Sequence, residues 1–207
     1  MDELGEFPRA ACEALRQPLE HGEVTVVRSA ASVRFPARFA LVAAANPCPC
    51  GWLGDGTRTC RCGPDDLRRY ARRLSGPLLD RIDLYVQVGR VAAEELAGPA
   101  AGEPSAAVRA RVLAARRRQG ERQGCENARL PVAALTAACR PTAAARRTLA
   151  TAVDQLGLTA RGFHRALRVA RTLADLAGDD RVADGHVREA LGLRHLPVAP
   201  RGEPGAA

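Results

Sequence analysis

Residues 39–50 read FALVAAANPCPC, and this stretch decides the fold. From Phe39 to Ala45 the chain is apolar without interruption, which suits a strand buried in a sheet. Asn46 closes the run with a neutral amide. Asparagine ends strands often for local reasons alone, so the residue gains weight only from its surroundings. Pro47 then opens a cysteine-rich loop that lasts to Gly63.

Upstream, residues 1–8 (MDELGEFP) are a polar opening, and Ala11, Leu15 and Leu19 recur on one face of a helix expected from Arg9 to Glu20, with Gly22 ending it. Val24–Arg28 and Ser32–Phe35 are two short β-rich runs separated by Ser29-Ala30-Ala31, the pattern of a hairpin. Downstream of the loop a basic helix is expected over Asp65–Leu74. The segment SGPLLDRIDLYVQV then gives a short helical turn leading into a strand at Asp83–Val88.

Residues 97–104 (AGPAAGEP) read as a linker. Everything beyond Ser105 has helical periodicity, with helices expected at 105–119, 132–138, 142–156, 160–177 and 184–193. In the fourth of these, Phe163, Leu167, Ala170, Ala174 and Ala177 form a core-facing stripe. Its start is marked by Gly157 as a stop, Thr159 as a cap and Leu158 as a staple onto Phe163. The expected organisation is an α/β part over 1–96, the linker at 97–104, an all-α bundle over 105–196 and a disordered tail over 197–207.

The chain has 207 residues, a net charge of +8 and 31 basic residues, every one of them arginine. The charge fits an anionic partner such as nucleic acid or nucleotide. The complete absence of lysine equally fits a compositional bias of the source genome, so charge alone assigns nothing. The missing lysine excludes one thing firmly. A phosphate-cradling P-loop needs its lysine, and none of these 207 residues can supply it. Nothing approaches membrane-spanning length and the start does not resemble a secretory signal, so the expectation is a cytoplasmic chain with no membrane association.

Four separated pieces acquire meaning together. Asp2 and Glu3 form an acidic pair. Asn46 ends the apolar run. Arg81 lies in LLDRID between a helical turn and a strand, where the bland reading is an ion pair with Asp80 or Asp83. Arg161 falls in the first turn of the well-capped helix, where unpaired N–H groups favour anions. The segments DELGEFPRAACEALRQPLEHGEVTVVRSAASVRFPARFALVAAANPCPCG, SGPLLDRIDL and LTARGFHRALRVARTLADL, in this order, closely resemble the magnesium-chelatase-like AAA+ ATPases of the ComM/YifB type, over roughly residues 2–195.

The resemblance implies a partial AAA+ α/β core followed by an all-α helical lid, assembled as a hexameric ring that uses ATP and Mg²⁺. It also implies a part in DNA remodelling, including branch migration during natural transformation. By motif, Asp2 and Glu3 resemble the Walker B pair, the aspartate helping to hold Mg²⁺ and the glutamate polarising water. Asn46 resembles the first sensor, Arg81 the arginine finger that acts on a neighbouring subunit's ATP phosphates, and Arg161 the second sensor. The hairpin carrying Arg28 and Arg34 corresponds to an insertion that faces the pore in related motors, so those arginines are expected to touch DNA phosphates. The resemblance implies that the family's longer N-terminal region, its P-loop and the strand ahead of the acidic pair lie upstream of Asp2. The expectation is therefore a truncated subunit that hydrolyses ATP only when an upstream P-loop-bearing polypeptide is supplied. In the family sheet order, 5-1-4-3-2, this chain keeps the fourth and fifth strands without the first between them, leaving edges unpaired.

Cys48, Cys50, Cys60 and Cys62 give C-x-C, nine residues, C-x-C. Four thiols in a Gly-containing loop can close around structural Zn²⁺, with disulfides or unliganded thiols as the rivals. Cys12, Cys125 and Cys139 stand apart as buried or incidental residues. The competing function is non-enzymatic: a zinc-stabilised, arginine-rich nucleic-acid-binding module.

Overall fold

The computed structural model describes residues 1–29, 31–74, 76–91, 93–98 and 102–194. The expected tail at 197–207 and the middle of the expected linker, 99–101, lie outside the described residues. The chain divides into two compact units, meeting in sequence at Ile82 and Asp83.

The first unit starts with a 3₁₀ turn, Leu4–Glu6, and two short helices, α1 (Arg9–Ala14) and α2 (Arg16–His21). The sequence suggests one continuous helix here. Pro18 explains the break: lacking an N–H, it cannot bond the carbonyl of Ala14 four residues earlier, and its ring crowds the preceding turn. The buried face also differs from the expected stripe, because Cys12 is inside and Ala11 is exposed, while Leu15 and Leu19 pack as anticipated. Gly22 ends α2 with φ of 69°, and a Cβ there would lie 3.0 Å from the Arg38 side chain, so the position suits glycine twice over.

The hairpin forms as expected from β1 (Glu23–Arg28) and β2 (Ala31–Pro36), paired antiparallel with Thr25 opposite Arg34 and Arg28 opposite Ala31. It is the only sheet among the described residues. Helix α3 (Pro64–Arg73) begins where Asp66 reaches back to accept the Gly63 N–H at 3.2 Å, and α4 (Gly76–Leu79) supplies the short helical turn. The unit's buried cluster is small: Leu4, Cys12 and Leu78, flanked by Leu15, Leu19 and Leu74.

Residues 39–45 and 83–88, expected as core strands, join no regular ladder. A strand is defined by its hydrogen-bonded neighbours, and these segments have few among the described residues. Their apolar side chains stay exposed as a result: Val42 is 81 % and Val88 84 % accessible.

The second unit is helical, with α5 (Ala93–Ala97), α6 (Ser105–Gln123), α7 (Val132–Cys139), α8 (Ala143–Leu156), α9 (Ala160–Ala177) and α10 (Asp184–Gly192). Helix α9 lies at its centre and packs against α6, α7 and α10. Its start is as the sequence suggests: Gly157 turns left-handed, Thr159 Oγ1 accepts the Gly162 N–H at 3.1 Å, and Leu158 and Phe163 both pack on the core. The stripe is displaced toward Ala166, Leu167, Ala170 and Ala174, with Ala177 exposed. Around it are Leu130, Leu135, Cys139, Leu149, Val182 and Val187. Helix α6 extends four residues past the expected end, to a left-handed Gly124.

Candidate functional site

The acidic pair and Asn46 are brought to the same end of two adjacent segments. The Met1 amino group donates to Val42 O at 2.6 Å, Ala44 N–H donates to Met1 O at 2.9 Å, and Leu4 N–H donates to Ala44 O at 2.8 Å. The first two bonds bracket Met1 in the manner of parallel neighbours. Asp2 and Glu3 therefore leave their segment beside the point where Asn46 leaves the other. Glu3 has a left-handed backbone, φ 50°, uncommon for a non-glycine residue and typical of positions fixed by function or packing. Its N–H is held by Asp2 Oδ1 at 2.9 Å. Both acids and the Asn46 side chain are exposed.

Helix α3 holds this end in place through Tyr70, a residue that sequence reasoning passed over. The phenol donates to Asn46 O at 2.9 Å, and the ring lies so close to Gly5 that a Cβ there would sit 2.4 Å from the Tyr70 oxygen. One turn on, Arg73 pairs with Glu6 at 2.9 Å. Tyr70 thus touches the turn after the acids and the residue carrying the amide at once. Burial, reinforced by the nearby Glu6 charge, pushes its phenol above the ordinary tyrosine range. The only signal in the sequence was a single aromatic in an otherwise arginine-rich helix.

Arg81 is not displayed as a free guanidinium. Its side chain is 9 % exposed, pairs with Glu20 at the end of α2 and donates to Pro77 O at 2.6 Å. Glu20 is a partner that the sequence did not suggest beside Asp80 and Asp83, and Asp83 pairs with Arg165 at 2.6 Å. On the hairpin, the register places Arg28 and Arg34 on opposite faces. Arg34 shares its face with Thr25 and lies 3.7 Å from Glu23, whereas Arg28, next to the turn, shares its face with Val26, Val33 and Phe35.

The four loop cysteines converge. Cys48 Sγ lies 3.4 Å from Cys50 Sγ and 3.7 Å from Cys60 Sγ, Cys50 and Cys60 are 3.6 Å apart, and all four sulfurs fall within 4.8 Å of one another. These separations far exceed a bonded pair at ~2.0 Å, and all four are free thiols. Amide N–H groups of Arg61 and Trp52 hold the Cys50 thiol down to about 6, while burial and the neighbouring sulfurs push Cys62 up to about 12.

In the second unit Arg161 is exposed in the first turn of α9. Farther along the same helix lies a polar network invisible to the periodicity. Asp175, fully buried, accepts from Arg122 Nη1 at 2.6 Å and Nη2 at 2.9 Å and from Asn127 Nδ2 at 2.8 Å, and forms an ion pair with Arg171 Nη2 at 3.0 Å. Arg171, also buried, donates onward to the carbonyls of Asp179 and Asp180. Burial pushes the Asp175 carboxyl up, but the bonds from Arg122 and Asn127 and the charges of Arg171 and Arg122 outweigh it, leaving the group below the ordinary carboxylate range. The network ties α6 to α9 and to the turn after α9. Its chemistry is structural.

The profile of the magnesium chelatase subunit ChlI matches residues 1–96, and that of the ChlI C-terminal region matches residues 102–194. This chain belongs to the magnesium-chelatase-like family of the ComM/YifB type. The competence protein ComM of Haemophilus influenzae is 44% identical to it over 198 residues, 95% of this chain and 38% of that protein. The YifB proteins of Salmonella typhimurium and Escherichia coli are 41% and 40% identical over the same share of each chain. The chain thus spans under two-fifths of the length of these family members. Among the described residues, no helix is long and apolar enough to cross a membrane.

Proposed function

We propose that this chain is the rear part of the hydrolysis module of a ring-forming AAA+ ATPase that remodels DNA, with 1–96 completing an α/β core and 105–196 forming its helical lid. The observation that carries the reading is the pairing of Met1–Leu4 with residues 42–44, which sets Asp2, Glu3 and Asn46 at one exposed end. Two carboxylates and an amide offer hard oxygen donors and a neutral water-orienting group, and such a set fits Mg²⁺. When bound, Mg²⁺ supplies charge neutralisation at the phosphates.

In this reading Asp2 helps hold the ion, Glu3 draws a proton from the attacking water and Asn46 fixes where that water sits. Tyr70 keeps the acids and the amide in register. Arg81 serves the ATP of an adjoining protomer in a hexameric ring, which requires its pair with Glu20 to open first. Arginine fingers are worth ~10³–10⁵ in rate in well-studied phosphoryl transfer. Arg161, at the start of α9, supplies a guanidinium from the lid. The phosphate cradle must come from sequence other than these 207 residues, because they contain no lysine. Arg28, next to the hairpin turn, and Arg34, on its other face, meet DNA phosphates from two sides of the ribbon.

The test is complementation. The chain is mixed with a polypeptide carrying the family's P-loop half, and ATP hydrolysis is measured with and without DNA. Hydrolysis that appears only on mixing, and is lost with Glu3→Gln, supports the reading. DNA binding by the chain with no hydrolysis in any mixture supports a non-enzymatic, arginine-rich binding module instead.

A further inference from the structure

We infer that Cys48, Cys50, Cys60 and Cys62 form a mononuclear zinc site whose role is to fix Asn46 against helix α3. The inference rests on the loop's own geometry and stands or falls apart from the motor reading. A tetrahedral tetrathiolate with Zn–S near 2.3 Å has sulfur–sulfur edges of about 3.8 Å. The edges among Cys48, Cys50 and Cys60, at 3.4, 3.6 and 3.7 Å, are close to that value, and the Cys62 sulfur lies within 4.8 Å of the rest. Clusters of several irons hold their thiolates farther apart, so a single ion fits better. Zinc is the common single ion for four thiolates in a closed, tetrahedral setting.

The surroundings are those of a site that stabilises bound thiolates. Amide N–H groups point at the sulfurs: those of Arg61 and Trp52 at Cys50, that of Cys62 at Cys60, and that of Cys50 at Cys62. Such second contacts orient ligands and offset their charge. Cys48 is fully buried and the other three are half-buried. Between the two C-x-C pairs the loop folds back through Gly51, Gly54 and Gly56, all left-handed at φ 75–79°. Among the described residues, neither hydrophobic core cluster includes a residue of 49–59. Within residues 49–59 Arg58 stacks over Trp52 at 4.3 Å, and ordering a loop of this length costs conformational entropy that a bound metal offsets.

The consequence for Asn46 follows from chain positions. Cys48 is two residues after Asn46, and Cys62 is two residues before α3 begins at Pro64. Tyr70, on that helix, donates back to Asn46 O. An ion on the four sulfurs closes this circuit from both sides, so that the segment bearing the amide and the helix that supports it cannot drift apart.

Trp52, the single tryptophan of the chain, sits inside the loop and reports on it. The experiment uses the full 207-residue chain purified under reducing conditions without added metal. Elemental analysis is expected to give about one zinc per chain. Chelation is expected to change Trp52 fluorescence, and zinc to restore it. Cobalt(II) added to the chelated protein should give the absorption of a tetrahedral thiolate site. Cys60→Ser and Cys48→Ser are each expected to lose the bound zinc, while Cys125→Ser, outside the loop, retains it. Should the buried Cys48 variant fail to fold, the half-exposed Cys50→Ser and the cobalt spectrum of the unaltered chain carry the decision. Less than about half an equivalent of zinc with the thiols reduced, iron in its place, an octahedral cobalt spectrum, or full zinc in the cysteine variants would each overturn the inference.

Discussion

Replacing Asp175 with alanine tests how the helical unit is held together. Asp175 and Arg171 are both fully buried, and the carboxylate accepts three hydrogen bonds from Arg122 and Asn127 and pairs with Arg171. Alanine removes the acceptor and leaves the Arg171 guanidinium in the interior without its counter-charge. Breaking one side of a buried pair costs ~3–5 kcal/mol. At roughly 4 °C per kcal/mol for a unit of this size, the helical unfolding transition should fall by about 12–20 °C, followed by circular dichroism. Arg171→Met combined with Asp175→Leu should recover most of that loss, because well-packed apolar replacements of a buried pair are often neutral or better. The carboxyl also sets a pH dependence. Its folded value lies below its ordinary one of 3.8, so its contribution is complete above that value and disappears as pH falls through the lower, folded one. Acid unfolding should therefore set in below about pH 4 for this unit, and Asp175→Ala should flatten that limb. A single variant within ~1 kcal/mol of the parent, or a double variant no better than the single, would refute the network as the tie between α6 and α9.

Gly5→Ala drives a methyl into the Tyr70 phenol, whose oxygen would be 2.4 Å away; overpacking of this kind costs ~1–3 kcal/mol, and Tyr70→Ala in the same chain should relieve it, giving a coupling visible in denaturant melts. Thr159→Ala removes the cap that accepts the Gly162 N–H and should lower helical-unit stability by about 1 kcal/mol. Replacing both Arg28 and Arg34 with alanine in a full-length family member should reduce the salt slope of DNA binding by up to ~2; an unchanged slope would remove the hairpin from the DNA interface. Glu20→Gln should weaken the restraint on Arg81 and, in the reconstituted ATPase, change hydrolysis across subunits without changing the chain's own fold; an effect on stability alone would leave Glu20 a packing residue.

The elements legible in the sequence are those whose information is local. Thr159 with Gly157 and Leu158 dictates the start of α9 through bonds spanning four residues, and the alternation in 24–28 and 32–35 needs only its own turn to become a hairpin. Pro18 is equally local, and its break in the first helix could have been read from the missing N–H. The parts that escaped the sequence depend on distant partners. Asp175 lies 53 residues from Arg122 and 48 from Asn127, and in a chain with 31 arginines no pattern singles out Arg122 and Arg171 as its partners. Tyr70 escaped for the same reason: its meaning comes from Gly5 and Asn46, neither of which periodicity connects to α3.

The two apolar segments at 39–45 and 83–88 carry this reasoning to its end. Their composition announces a buried strand, and the inference from side chain to environment is sound for each residue taken singly. Burial on both faces, however, is a property of a sheet with neighbours on either edge, and the described residues offer 39–45 only the short run Met1–Leu4. The valines at 42, 86 and 88 are exposed not because the pattern misleads but because the pattern specifies partners. In each unit taken by itself, the exposed valines mark an apolar face of the kind that a neighbouring strand covers in a complete sheet.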